Sequence, residues 1–163
     1  MSILIPILGV ALTAGVALGL LPKERGRSFA NSVIGTHRGS VTRLTDAAVS
    51  IRYLLGTQGS DASHVAVCGA STVPLGVIAD EASDAGEEVA VELLGAAGST
   101  VRMVAGGAVP VGSLVYTAAN GLVTTLSAAA GTYYCVGIAL SAATASGEVI
   151  EVDPCVAHKI TVS

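Results

Sequence analysis

Five carboxylates crowd into residues 80–88 of this chain: Asp80, Glu81, Asp84, Glu87 and Glu88. Carboxylates so close can share a proton in acid–base chemistry or hold a hard divalent cation. The calcium-loop order, alternating Asp or Asn leading to a closing Glu, is absent. The segment also has a counterpart 61 residues on, where Ser141, Ala142 and Ala145 replace Asp80, Glu81 and Asp84. That favours an acidic solvated loop over a metal site. The three histidines, His37, His64 and His158, lie far apart, with no His-x-x-x-His or Cys-x-x-Cys pattern. Cys68, Cys135 and Cys155 are odd in number and form no such spacing, so they read as small buried side chains of a chain folded in a reducing cytoplasm. "GASTVPLG" (69–76) lacks the lysine and spacing of a phosphate loop, and no nucleophile elbow occurs. The expected tally is no catalytic residue, no cofactor and no metal ligand.

What the chain repeats is architecture. "LGVIADEASDAGEEVAV" (75–91) and "VGIALSAATASGEVIEV" (136–152) superimpose without a gap. Over the sixteen pairs from Gly76/Gly137 to Val91/Val152, five are identical: Gly76/Gly137, Ala82/Ala143, Gly86/Gly147, Glu87/Glu148 and Val91/Val152. Each copy reads as a strand, an excursion closed by glycine, and a returning strand. Gly86 and Gly147 mark turns that need a permissive backbone. Asn120-Gly121 sits between "LVYT" and "LVTTL", the signature of a type I′ hairpin.

The rest of the body follows strand grammar, short apolar or alternating runs bounded by turn formers. Strands are expected at 40–44, 50–55, 64–69, 75–79, 88–94, 100–104, 113–117, 122–126, 133–140 and 148–152, with "ITV" as a last edge. "EASDA" and "SAATAS" could each add one helical turn. The predicted class is all-β: a small barrel or sandwich built from two related β units that pair about a pseudo-twofold axis to close one core, with an extended apolar N-terminal arm. The predicted division is an arm at 1–22, a basic connector at 23–35 and a β-rich body at 36–163.

Composition supports a dependent subunit. Hydrophobic residues are 52% and charged residues 12%, against roughly 25% charged in ordinary domains, so much of the surface must be neutral or covered. One Phe, four Tyr and no Trp leave the core without bulky anchors. The net charge of −4 divides into +4 over residues 23–52 and −8 over 53–163. A basic front and an acidic body suit docking on a complementary protein surface. The cations are few and carry no aromatic ladder, so nucleic acid is not an expected partner.

Residues 3–21, "ILIPILGVALTAGVALGLL", contain no charge and are long enough to span a bilayer. The positive charges follow this stretch and do not precede it, which argues against a secretory signal. Pro6 and the internal glycines weaken a straight helix in water. The favoured placement is an arm lying on a partner protein, with a membrane span as the alternative. The contact residues expected on that reading are Ile3, Leu4, Ile5, Leu8, Leu12, Leu20, Lys23, Arg25, Arg27 and Phe29.

"VPLGVIADEASDAGEEVAVELLG", "VAGGAVPVGSLVYTAANGLVTTL" and "VGIALSAATASGEVIEV", in that order, resemble the capsid cement, or head decoration, proteins of tailed bacteriophages and prophages. The resemblance covers about residues 36–155 and rests on turn-and-strand signatures. It implies a β-rich subunit, often a homotrimer, that binds the outer surface of an assembled head in the virion and bridges major capsid protein subunits. The family has no catalytic residues to carry over. The apolar arm departs from the family pattern.

Overall fold

A computed structural model describes residues 39–163. The arm, the connector and every contact residue predicted from Ile3 to Phe29 lie outside the described residues. The body is all-β, with ten strands in two sheets and no α-helix among the described residues.

The first sheet is a closed barrel of β1 (Ser40–Thr45), β2 (Leu54–Gln58), β3 (His64–Val67), β4 (Pro74–Ile78) and β5 (Glu88–Leu93), ordered β1-β3-β2-β4-β5. Strand β1 closes it, lying antiparallel to β5 (Val41 opposite Val91) and parallel to β3 (Leu44 opposite His64). The second sheet holds β6 (Val101–Val104), β7 (Leu114–Thr117), β8 (Val123–Thr124), β9 (Gly131–Ala139) and β10 (Val149–Val162), ordered β6-β10-β9-β7-β8. A parallel bridge from Ala105 to Val123 joins the end of β6 to β8. Replacing β1–β5 by β6–β10, one for one, turns the first cyclic order into the second.

The expectation that two units jointly close one barrel is corrected here. Residues 40–93 close a barrel alone, because β1 has a hydrogen-bonded neighbour on both sides. The second half packs beside it. Inside the barrel, alternate residues Val41, Leu54, Val65, Ile78, Val89 and Val91 form one buried cluster. Met103, Val115, Val136, Ile150 and Val152 of the second sheet form the other, together with Leu55 and Val77 from the barrel. In return Val104 of β6 joins the barrel's cluster. The halves therefore share a core. Aliphatic side chains suffice because strands place every second residue inward at close-packed density.

Three elements differ from the sequence expectation. Residues 51–53 turn before β2 begins, and Tyr53 takes a positive φ of 68°. Its ring lies under the Arg102 guanidinium, 5.7 Å from centroid to carbon. Strand β8 is only two residues long. Conversely, the segments 149–152 and "ITV" belong to one strand of fourteen residues, which continues through residues 153–159 by means of a bulge.

Candidate functional site

The acidic loop is occupied with holding itself. Asp80 Oδ2 accepts the Ala90 N–H at 2.9 Å, Glu87 Oε2 accepts the Ser83 N–H at 2.9 Å, and Glu81 pairs with Arg52 at 3.3 Å on the exposed surface. The second copy performs the same bonds with different chemistry. Ser141 Oγ accepts the Glu151 N–H at 2.8 Å, and Glu148 accepts the Thr144 N–H at 2.7 Å. Those bonds from Thr144 hold the Glu148 carboxyl below its usual range. Asp80 and Ser141 thus have one role, tying the loop to the returning strand. His64 is a β3 residue whose ring nitrogen bonds Asp61 at 2.7 Å. That bond, reinforced by Ser63, depresses the Asp61 carboxyl.

The marked turns have the backbone that glycine allows. Gly86 and Gly147 have φ of 82° and 91°, and their N–H groups donate to the carbonyls of Thr45 and Ala105. Asn120 and Gly121 have φ of 59° and 72°, with the Leu122 N–H returning to the Ala119 carbonyl at 3.3 Å. Gly121 also sits against the barrel, where a Cβ would lie 2.9 Å from Leu54 Cβ and Val67 Cγ1.

One asymmetry between the halves points outward. On the barrel, the pair Leu55–Val77 lies next to Gly56–Gly76 on β2 and β4. On the second sheet, the pair Leu114–Ile138 lies next to Val115–Gly137 on β7 and β9. Leu55 and Val77 are fully buried against the second sheet. Their counterparts Leu114 and Ile138 are 47% and 42% exposed. Leu140 and Val111, also exposed, extend the same region, and Asp153 and Glu151 border it across β10. The same face is covered in one half and bare in the other.

A second grouping lies where β9 and β10 run on past β7 and β6. The thiols of Cys135 and Cys155 and a ring nitrogen of His158 all lie within 4.8 Å of one another. Sequence spacing alone missed it, since it needs a cross-strand partner; the sequence signal available was Cys155-x-x-His158.

A shallow depression of about 390 Å³ is lined by Thr100, Arg102, Ser141 and Glu151 among others. Its hydroxyls are engaged by Glu151: Thr100 donates to that side chain at 2.6 Å, and Ser141 accepts that residue's N–H.

The order of strands and turns has a family. The family model for phage cement proteins matches residues 39–154. This chain belongs to the phage cement proteins. Among solved structures, this cement protein is similar to the head fibre gp8.5 N base of bacteriophage phi29, with 21% identity and a TM-score of 0.51 over 69% of this chain and 90% of that one. At that identity the likeness is one of fold. Comparison with curated sequences finds no match. The family is one of structural, capsid-associated phage proteins.

Proposed function

We propose that this cement protein binds the outer surface of an assembled phage capsid and stabilises it by bridging major capsid protein subunits, with no catalytic step. It folds in the host cytoplasm and works on the virion as a homotrimer, without a nucleic-acid or membrane partner. The observation that carries the reading is the bare face at Leu114 and Ile138. A chain with few charges and no bulky aromatic anchors leaves this apolar pair in water, although it covers the equivalent pair within itself. A neighbour that covers the pair would gain the burial the chain does not supply itself. In the homotrimer that neighbour is the next copy, repeating between chains the contact made within one. The carboxylates Glu151 and Asp153 at its border suit a basic edge, which Lys23, Arg25 and Arg27 would provide.

The arm then anchors the subunit to the capsid through Ile3, Leu4, Ile5, Leu8, Leu12, Leu20 and Phe29. Individually modest contacts suffice, because many copies act together on one shell. The alternative, a membrane-anchored β-domain, rests on the uncharged length of residues 3–21, the four-residue spacing of Ala11, Gly15 and Gly19, and the Lys23–Arg27 cluster that follows.

The test is copy number relative to the major capsid protein in gradient-purified particles, by quantitative mass spectrometry. A fixed ratio, near one-to-one or one trimer per threefold position, is expected. Absence from particles, with the chain recovered in membranes, would overturn the proposal.

A further inference from the structure

We propose that Cys135, Cys155 and His158 form a zinc site at the base of the ribbon where β9 and β10 run on past β7 and β6. The argument begins with the strand register. Pro154 pairs with Gly137, so a regular antiparallel ladder would set Val156 opposite Cys135. Instead the register shifts, and His158 faces Cys135. Two extra residues are accommodated on β10, and Val156 is pushed out to 70% exposure. Exposing a valine and interrupting the ladder both oppose folding, and bulges commonly re-aim a side chain where a site requires it. This one exchanges an apolar neighbour of Cys135 for an imidazole and brings Cys155 back over the same thiol. Cys155 Sγ reaches the Cys135 carbonyl at 3.8 Å.

The donor set selects the ion. Two thiolates and one imidazole are soft to borderline ligands, which suit zinc and not calcium or magnesium. Three protein ligands leave the fourth tetrahedral position to water, and the exposed His158 leaves that position open to solvent. Tyr116, opposite Cys135 on β7, walls the other side. Binding follows Zn²⁺ + 2 RSH → Zn(SR)₂ + 2 H⁺, the two protons passing to solvent, so affinity rises with pH. Cys68 is outside the group, its thiol directed to the carbonyls of Gly69 and Thr72.

The experiment uses the reduced full-length protein, stripped with a chelator and titrated with Co²⁺ and then Zn²⁺. One equivalent of cobalt should produce the thiolate charge-transfer bands of a tetrahedral site, and zinc should displace it. Free zinc a hundredfold above its dissociation constant should lower the unfolding equilibrium constant about 100-fold. His158→Ala alters an exposed side chain, so it should remain folded while losing the bands and the zinc-dependent shift. Cys155→Ser should behave alike, and Cys68→Ser should retain both. Metal uptake unchanged in His158→Ala would overturn the proposal. So would a Cys135–Cys155 disulfide in virion-derived protein together with no zinc bound after reduction, which would make the pair a redox cross-link.

Discussion

Replacing Leu114 and Ile138 together by threonine tests whether the bare face of the second sheet holds copies together. Full burial of a leucine or isoleucine side chain contributes about 1.5–3 kcal/mol. With 47% and 42% of the two residues exposed, nearly half of that remains to be gained from a neighbour, about 1 kcal/mol each. The pair should therefore weaken one interface by about 2 kcal/mol, roughly 30-fold in affinity. In a closed trimer each chain has two such interfaces, so removing one chain becomes easier by about 4 kcal/mol, on the order of 1,000-fold. Threonine keeps the β-branching of Ile138 and introduces it at Leu114, a shape that strands favour. The substitution also removes the half of each side chain already buried, which lowers the stability of the chain itself. Ile51→Thr with Val73→Thr, at side chains 49% and 57% exposed on the first half, is the matched control. Sedimentation equilibrium reads the assembly, and thermal unfolding of the dilute chain reads the fold. The reasoning fails if the Leu114/Ile138 variant assembles like the control, or if the control loses assembly equally.

Gly76→Ala and Gly137→Ala should each destabilise the protein by about 1–3 kcal/mol in urea unfolding, because the new methyl meets Val91 Cγ1 at 2.8 Å or Val152 Cγ1 at 2.6 Å, with a strand carbonyl closer still. Gly121→Ala should destabilise by a similar amount and loosen the contact between the halves, read as faster hydrogen exchange at Leu55 and Val67; it combines a φ of 72° with atoms 2.9 Å away. Glu148→Gln should lower stability at neutral pH and cease to matter in acid. Its carboxyl is depressed when folded, so its contribution is present above the ordinary carboxylate range and is lost as pH falls through the depressed value. Denaturant midpoints across that range measure it. Deleting residues 1–27 should weaken binding to purified particles; unchanged affinity would remove the arm from the capsid contact.

Much of the body could be read directly because its strands alternate against one core. "EVAVEL" shows this, with Val89 and Val91 inward and Glu88 and Glu92 less buried. The glycine turns were legible for the same local reason, since a positive φ constrains residue type at one position. Features that depend on distant partners were not. Tyr53 reads as a strand residue, but its backbone turns to place the ring under Arg102 from the other half. The stretch 153–159 has no apolar alternation, and its pairing with β9 supplies the strand geometry instead. Ligand spacing along the chain could not show the Cys135, Cys155 and His158 group, because two of its members meet only through cross-strand register. Closure of the first barrel depends on a parallel contact of β1 with β3, which no periodicity encodes.

The two closures differ in strength. In the first barrel, β1 meets β3 along a ladder, whereas in the second half one isolated bridge, Ala105–Val123, spans the gap between β6 and the two-residue β8. Few hydrogen bonds need break to part that seam, so it opens at less cost than the β1–β3 seam. Amide protons near Val123 should exchange with solvent ahead of those inside the first barrel. Under load the second half would then open before the first barrel, which stays as the last closed piece.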